Sequence, residues 1–374
     1  MTNEISNTPN DENEKIKSLF LKDFEYKDEY NWKALSMVKD DDKYKRCMLY
    51  GERDNDNVKL YVKHLNFNIE DNRIDILKEI YFLILLKNHK YFVNLDKIVL
   101  SDYLLLIFKG DHVSLDRMIK FQENNYFKNI ELFKFIIYQI TIGLNYLHKN
   151  GIIHNDVKDS NILIGEKGDI LICDMGSMDY KDKKSKSYTK YYVAPEFFNN
   201  YNRDEKSDLW GLGIIILKMF LRKNDYFNLE NKIGIQTQFH EFLLKIGIKE
   251  IYKKKDIKSI LNNNNNSINL NMIKYDEITK IIKDEKEKDK EDNRNIIDLI
   301  KNLIVLNPYN RYDVDKILNS KFLGGGGEEN DNGENNLEKD SIYDKISEIK
   351  NIKDFKDFIE ANLKPLLEIK KNIK

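Results

Sequence analysis

The sequence predicts an α+β fold in which short strands and one helix come first and a larger, mainly helical part follows. Residues 57–65 alternate apolar and polar side chains, and this period of two is typical of a half-buried strand. Residues 129–151 instead place apolar side chains at helical spacing and end at a glycine, which is typical of a long amphipathic helix. The change of period between them separates the two parts of the chain.

The strand-rich part is predicted to cover residues 24–110, after a disordered N-terminal extension at residues 1–23. Its one helix lies in residues 73–88, where apolar side chains form a helical stripe. Residues 103–110 are predicted to be a buried strand that a glycine ends. This part is therefore a small sheet with a single helix.

The helical part is predicted to cover residues 111–323. Residues 208–221 are apolar almost all round, so they are expected to form its central buried helix. Residues 250–295 are of low complexity, with an asparagine run and a charged run, and are expected to be a loosely ordered insertion. The helical pattern resumes at residue 295.

A C-terminal tail, residues 341–374, follows a flexible acidic linker at residues 324–340. Apolar residues in the tail recur near helical spacing, which predicts one or two amphipathic helices. Such helices would dock back onto the body of the protein or onto a partner protein. The sequence leaves both alternatives open.

The composition excludes several classes of partner. The 374 residues include 62 basic and 63 acidic side chains, so the net charge of −1 gives no electrostatic case for binding nucleic acid or a membrane surface. The two cysteines cannot form a disulfide framework and suit a reducing compartment. No apolar stretch approaches the roughly 20 residues of a membrane span. An intracellular protein, cytoplasmic or nuclear, is expected.

One short stretch, residues 152–176, carries side chains that phosphoryl transfer requires: Asp156, Lys158, Asn161 and Asp174. The reaction needs metal ligands, a cation on the phosphates and a carboxylate near the attacking hydroxyl. An aspartate, a lysine two residues on and an asparagine three beyond that fit on one loop. A second aspartate, arriving from a neighbouring strand, completes the set.

This stretch resembles the catalytic core of the eukaryotic protein kinases. The family's H-R-D-x-K-x-x-N motif corresponds to residues 154–161, and its D-F-G motif to residues 174–176. Further landmarks follow in the family's order, namely A-P-E at residues 194–196, D-x-W-x-x-G at residues 208–213, and Arg311, which matches the arginine that pairs with the A-P-E glutamate. The resemblance spans residues 24–323 and implies a bilobal fold, with a small antiparallel sheet and one key helix in the N-terminal lobe and a mainly helical C-terminal lobe.

The resemblance implies a role for each residue of the catalytic loop, with ATP and Mg²⁺ as cofactors. Asp156 would accept or orient the proton of the substrate hydroxyl, and Lys158 would contact the transferred phosphate. Asn161 and Asp174 would hold Mg²⁺. The implied substrate is a protein.

In the N-terminal lobe the resemblance implies that Lys63 holds the α- and β-phosphates of ATP and pairs with Glu79 of the helix. Residues around the adenine are implied in the same way: Tyr61, Phe108, Lys109, Asp111 and Leu163. Among these, Phe108 occupies the gatekeeper position, and the hinge begins at Lys109. A regulatory protein is expected to bind either at this helix or at the C-terminal tail.

The lysine at position 158 points to serine or threonine as the phosphate acceptor, because tyrosine-specific kinases usually lack it. Thr189 matches the threonine that bonds the catalytic aspartate and lysine in such enzymes. Residues 189–196, TKYYVAPE, resemble the cyclin-dependent and mitogen-activated kinases, the CMGC group. Val193 replaces an arginine that this group usually carries.

Three departures from the family pattern bear on activity. The phosphate-covering loop is expected near residues 41–46, which contain no glycine. Tyr61 stands where the family usually has alanine on the adenine side, so its ring would compete with the nucleobase. Asn155 replaces the arginine that meets a phosphate on the activation loop, and a neutral amide cannot form that charged pair.

Two functions follow from these patterns. One is an active, divergent Ser/Thr protein kinase, supported by the intact catalytic residues. The other is a pseudokinase that acts as a scaffold or allosteric binding module, supported by the three departures. Where Tyr61 points is the structural observation that bears most on the choice.

Overall fold

A computed structural model describes the protein in seventeen segments: residues 31–39, 44–53, 56–65, 67, 73–100, 104–110, 112–120, 125–165, 168–181, 183, 188–198, 203–227, 234–248, 273–281, 287–324, 351–362 and 367–369. These residues group into two compact units. The first unit contains the described residues up to 89, then 93–112, and those from 339 onward. The second contains residues 90–92 and the described residues of 113–338.

The described strands, in chain order, are β1 (Asn31–Lys39), β2 (Tyr44–Arg53), β3 (Asp56–Leu65), β4 (Leu95–Leu100), β5 (Leu104–Lys109), β6 (His112–Ser114), β7 (Ile152–Ile153), β8 (Ile162–Gly165), β9 (Ile170–Ile172), β10 (Asp179–Tyr180) and β11 (Leu367–Ile369). The described helices are α1 (Arg73–Leu85), α2 (Leu115–Lys120), α3 (Ile130–Lys149), α4 (Glu205–Lys223), α5 (Ile235–Lys245), α6 (Tyr275–Thr279), α7 (Glu287–Leu303), α8 (Val314–Leu318) and α9 (Ile352–Asn362). The α+β class predicted from the sequence is confirmed.

The first unit is built on a six-stranded sheet in the order β1-β2-β3-β5-β4-β11. Its first five strands pair antiparallel. The alternation that predicted β3 corresponds to its burial, because Leu60 and Val62 are fully buried on one face. Lys63 is buried as well, which the alternation alone does not predict; its ion pair with Glu79 of α1 explains the difference.

The expected phosphate loop at residues 41–46 divides between two regions. Tyr44–Arg46 belong to β2, where they pair with the end of β3. Residues 40–43 lie outside the described segments. The strand β2 therefore begins inside the range expected for the loop.

The second unit is organised around α4, which the sequence predicted to be its central buried helix. Asp204 and Ser207 form a capping box at its start. Trp210 and Phe220 are fully buried in the core, with 0% of each residue exposed to solvent. Gly211 permits a close approach to the catalytic loop, since a Cβ there would lie 2.6 Å from the Val157 carbonyl oxygen. The fold thus presses α4 directly against that loop.

The region expected to be a loosely ordered insertion, residues 250–295, contains helix where it is described. The helix α7 begins at Glu287, eight residues before the predicted restart, and α6 also falls inside the region. Lysine and glutamate are good helix formers, so the charged run can extend a helix whose apolar end is anchored in the core. Leu299 and Ile300 provide that anchor, at 1% and 0% exposure.

The described part of the C-terminal tail folds within the first unit. The Phe355 ring of α9 stacks on Phe67 with a centroid distance of 5.0 Å and an interplanar angle of 15°. Ile359 is fully buried one turn later. Beyond α9, β11 adds to the sheet parallel to β4, with Leu367 opposite Ile98. This arrangement corresponds to the docking-back alternative. Among the described residues, no helix is both long and apolar enough to cross a membrane.

Candidate active site

Four side chains of the second unit form one hydrogen-bonded cluster around the Asp156 carboxylate. The Lys158 Nζ donates to Asp156 Oδ2 at 2.5 Å and to Thr189 Oγ1 at 3.0 Å. The Thr189 hydroxyl donates to Asp156 Oδ1 at 2.5 Å. Asn161 Nδ2 donates to the Asp156 carbonyl at 2.9 Å and to Oδ2 at 3.1 Å. The loop residues singled out from the sequence are therefore brought together, and Thr189 binds the second oxygen of the carboxylate.

The start of α4 fixes the backbone of this loop. Asp208 accepts hydrogen bonds from the backbone N–H groups of His154 and Asn155, both at 2.9 Å, and from His148 Nε2 at 2.9 Å. Burial alone would raise the pKa of Asp208, but the hydrogen bond and charge of His148, with the charge and backbone N–H of His154, bring that pKa below its usual value. A buried carboxylate that stays ionised thus anchors the loop.

Asp174 follows β9 in a left-handed backbone conformation, with φ of +64°. Aspartate tolerates this region better than most residues. The preceding residue, Cys173, donates its N–H to the Asn161 carbonyl at 2.9 Å and its carbonyl lies 3.2 Å from His154 Nε2. Met175 and His154 are fully buried, which agrees with a packing role for both side chains. The segments that carry Asn161 and Asp174 are therefore joined by a backbone hydrogen bond.

The donor set suits Mg²⁺ rather than a metal held by protein alone. Asn161 and Asp174 offer oxygen ligands, which a hard cation prefers, and Mg²⁺ in phosphoryl-transfer sites takes one or two carboxylates with phosphate oxygens and water. Among the described residues, no group of three or more His, Cys, Asp or Glu side chains is arranged to hold a metal ion. A metal ion bound by these two residues would take its remaining ligands from nucleotide phosphates and water.

Lys63 and Glu79 form a closed ion pair within the first unit. The Lys63 Nζ lies 2.7 Å from Glu79 Oε1 and 2.9 Å from Oε2. Both side chains are only 6% exposed. In this low-dielectric setting the pair fixes the position of α1 relative to β3. The pairing predicted from the sequence is present in the structure.

Tyr61 lies on the same face of β3 as Lys63, because alternate residues of a strand share a face. In the sheet it is opposite Phe108 of β5. The two rings contact each other, with centroids 5.9 Å apart and an interplanar angle of 49°. The tyrosine therefore lies on the face that the resemblance assigns to the nucleotide, in contact with Phe108.

Of the other residues assigned to adenine, Lys109 ends β5 and forms an exposed ion pair with Asp96 at 3.0 Å. Leu163 lies in β8 of the second unit and is partly buried. Asp111 lies outside the described segments. Of the described residues assigned to adenine, Tyr61 and Phe108 are thus in contact with each other.

Replacing Tyr61 by alanine is expected to tighten Mg-ATP binding about tenfold, equivalent to about 1.4 kcal/mol. The reason is that removing the ring opens space on the Lys63 face without disturbing the ion pair. Isothermal calorimetry measures the change. Tyr61→Phe is the matched control, since it keeps the ring and should bind ATP as the wild type does. Weaker binding by Tyr61→Ala would show that the ring supports the nucleotide instead of obstructing it.

Sequence reasoning missed a buried polar network beside the catalytic loop. Asp159 accepts a hydrogen bond from Lys218 of α4 and another from the Tyr192 hydroxyl, the latter at 2.8 Å. Lys218 also donates to Gln236 at 2.9 Å. Burial, then the charge and hydrogen bond of Asp159, raise the pKa of Tyr192 well above its usual value. A lysine within the apolar run of α4 was the available signal, because a buried lysine requires an acidic partner.

Another buried ion pair links the end of the activation segment, the stretch from the D-F-G motif to the A-P-E motif (residues 174–196), to the C-terminal side of the unit. The Arg311 guanidinium binds Glu196 through two hydrogen bonds, of 2.7 and 3.0 Å. It also donates to the carbonyls of Lys206 and Val305, at 2.6 and 2.8 Å. Arg311 is fully buried. The pair corresponds to the structural ion pair expected from the sequence.

Comparison with known proteins agrees with this geometry. Residues 47–323 match the protein kinase domain. The mitogen-activated protein kinase HOG1 of Candida albicans is 41% identical over 92 residues, which are 24% of this chain and 24% of that protein. HOG1 of Arthrobotrys oligospora is 39% identical over 92 residues, 24% of this chain and 26% of that protein. The serine/threonine-protein kinase CLA4 of Candida albicans is 32% identical over 183 residues, 46% of this chain and 18% of that protein.

The matched segments span about a quarter or less of the length of these relatives. The match to the protein kinase domain is much longer and takes in both units, from β2 to the segment after α8. It includes the ion pair of Lys63 with Glu79, the Asp156 cluster and the Glu196–Arg311 pair. The chain belongs to the protein kinase domain family.

Proposed function

We propose that this chain is a catalytically active protein kinase that transfers the γ-phosphate of ATP to serine or threonine hydroxyls of proteins. The observation that carries the proposal is the cluster around Asp156. Its carboxylate accepts hydrogen bonds from Lys158 and Thr189, and its backbone is held by Asn161. A carboxylate kept in place in this way is ready to receive the proton of an attacking hydroxyl.

Each residue then has a chemical task. The substrate oxygen forms a bond to the γ-phosphorus while the bond to the bridging oxygen of ADP breaks, and Asp156 accepts the hydroxyl proton. Lys158, already 2.5 Å from Asp156, neutralises charge on the transferred phosphate. Lys63 binds the α- and β-phosphates, held in place by Glu79. When bound, Mg²⁺ neutralises phosphate charge, and Asn161 and Asp174 would be its protein ligands.

The choice of serine and threonine rests on Lys158 and Thr189. They hydrogen-bond to each other at 3.0 Å, and each also donates to one oxygen of the Asp156 carboxylate. The relatives named above are serine/threonine or mitogen-activated protein kinases by name. We assign the chain to the CMGC-like side of the family because residues 189–196 resemble that group and HOG1 is a mitogen-activated protein kinase by name. Val193, which replaces the arginine of that group, argues against a proline-directed preference.

A pseudokinase remains the second candidate, and one observation favours it. The Tyr61 ring lies on the Lys63 face and contacts Phe108, which narrows the space for adenine. A scaffold or allosteric module would keep the fold while binding ATP weakly or not at all. The retained Asp156 cluster favours the active kinase over this alternative, because a binding module has no need of it.

For partners, we propose protein substrates and an intracellular setting, in the cytoplasm or nucleus, where ATP is available. The apolar residues Phe355 and Ile359 of the tail are buried within the first unit. The tail therefore favours an intramolecular contact, and α1 is the better candidate surface for a regulatory protein. Neither nucleic acid nor a membrane is proposed as a partner.

A thermal-shift titration with Mg-ATP separates the two candidates. An active kinase should show a melting temperature that rises with Mg-ATP concentration up to the millimolar range, because a ligand that binds only the folded state stabilises it. Lys63→Met should reduce the shift, and Lys97→Met, at a lysine on β4 of the same sheet, serves as the matched control. No shift at millimolar Mg-ATP would favour the pseudokinase.

A further inference from the structure

The two backbone polar groups of Asn155, its N–H and its carbonyl, are both held by residues near the start of α4. Its N–H donates to Asp208 Oδ1 at 2.9 Å, and its carbonyl accepts from Arg203 Nη1 at 2.6 Å. The backbone there is left-handed, with φ of +67°, which asparagine accepts at low cost. Its side-chain Nδ2 donates to the Ser177 carbonyl at 3.0 Å. The residue before the proposed catalytic base is therefore clamped.

Arg203 is built into this clamp. Its side chain is buried, at 8% exposure, and its guanidinium lies over the Phe197 ring at 4.4 Å. Burial lowers the pKa of Arg203, and the nearby carboxylates of Asp208 and Asp156 act against that shift. An arginine remains charged under such conditions. The structure thus keeps a permanent positive charge between the catalytic loop and the end of the activation segment.

Position 155 itself carries no charge. An arginine there would be a cation that requires a phosphate on the activation segment as its counter-ion, whereas an asparagine requires none. Arg203 differs from such a residue in one respect that matters. The carboxylates that act on its charge, Asp208 of α4 and Asp156 of the loop, belong to the protein itself, and its Nη1 donates to a backbone carbonyl.

We propose that Arg203 is a positioning residue that holds Asp156 in its working geometry through the Asn155 carbonyl, in place of an activation-segment phosphate. The inference rests on the proposed kinase function. It implies that the loop is organised constitutively. Phosphate removal from the purified protein then leaves turnover unchanged, and loss of the Arg203 cation lowers it.

The test compares three substitutions in the full chain, each with a measured melting temperature. Arg203→Met, which keeps the aliphatic stem, should lower kcat about 10- to 100-fold, the size expected for losing a hydrogen bond to a charged group, while KM for ATP stays within about twofold. Arg203→Lys should recover kcat to within about fivefold of wild type. Arg222→Met, a similarly buried arginine at the other end of α4, is the matched control and should leave kcat unchanged.

The outcomes are decisive in both directions. Equal kcat for Arg203→Met and Arg222→Met at matched folded fraction would overturn the proposal, as would a large loss of wild-type activity after phosphatase treatment. Should Arg203→Met fail to fold, Arg203→Gln replaces it, because it retains an amide donor but no charge. Recovery of full kcat by the glutamine variant would contradict a role for the cation.

Hydrogen exchange keeps this inference separate from the kinase proposal itself. Arg203→Met should speed exchange of the amides at residues 154–156 about tenfold, and Arg222→Met should not change them. This readout applies even to a protein that transfers no phosphate. Unchanged exchange in Arg203→Met would reject the clamp, whereas increased exchange without any wild-type transfer would reject only the proposed activity.

Discussion

Replacing Asp156 by asparagine is expected to lower kcat for phosphate transfer about 10³-fold, within the range of general-base contributions, while Mg-ATP binding is unchanged. The asparagine keeps the shape of the side chain but removes the charge that receives the hydroxyl proton. It also leaves the Lys158 ammonium, now 2.5 Å from a carboxylate oxygen, without its ionic partner. Initial rates with a serine-containing peptide library and calorimetric titration with Mg-ATP measure the two effects.

Asp169→Asn is the matched control for this substitution. The residue is an exposed aspartate before β9, on the same stretch of chain. Its replacement should change neither rate nor affinity. Equal phosphate transfer by Asp156→Asn and wild type would mean that the observed activity belongs to another enzyme in the preparation. Loss of Mg-ATP binding along with transfer would mean that the residue supports the nucleotide.

Replacing Arg311 by methionine is expected to cost about 3–5 kcal/mol of folding free energy, because it leaves the Glu196 carboxylate buried without a counter-ion. Four hydrogen bonds of the guanidinium are lost at the same time. Urea unfolding, followed by fluorescence of Trp210 against which the guanidinium packs at 5.1 Å, measures the change. A loss below about 1 kcal/mol would contradict the structural role of the pair.

The double variant Glu196→Gln with Arg311→Met provides the control for this result. Neutralising the glutamate removes the buried, uncompensated charge, so the double variant should be more stable than Arg311→Met alone. The coupling between the two residues follows from the difference. Strictly additive effects would mean that each residue acts through other contacts.

The positions of the catalytic side chains could be predicted from the sequence because they depend on short spacings within one loop. Asp156, Lys158 and Asn161 lie within six residues, and the loop that carries them brings Lys158 and Asn161 to the carboxylate of Asp156. The pairing of Lys63 with Glu79 was expected only from the resemblance to the protein kinases, because local spacing does not bring a strand residue to a residue of the following helix. Local spacing was therefore sufficient for the loop but not for this pair.

The surroundings of the loop could not be predicted in this way. Arg203 and Lys218 reach Asn155 and Asp159 from residues 48 and 59 positions away, through the packing of α4 against the loop. No local sequence pattern predicts contacts between residues so far apart along the chain. The start of α7 was misplaced for a related reason, because a charged run has helical propensity whose outcome depends on whether its neighbours are anchored in a core.

The position of the Tyr61 side chain could be predicted from the sequence only in part. Its face of β3 followed from alternation, but whether the ring turned away from the nucleotide side depended on the opposite strand. The register of β3 with β5 places Phe108 opposite it, and the two rings contact each other. The contact of Tyr61 with Phe108 therefore depends on a strand pairing that the sequence pattern alone does not provide.

Transfer of radiolabelled γ-phosphate from ATP by the purified full chain tests the central claim most directly. The assay uses degenerate serine/threonine peptides, with tyrosine peptides for comparison, and runs wild type beside Asp174→Asn. The account predicts Mg²⁺-dependent transfer to serine or threonine by the wild type and a loss of at least about 10²-fold in the variant, because one proposed ligand of the metal is neutralised. Absence of transfer by the wild type, or equal transfer by Asp174→Asn, would contradict it.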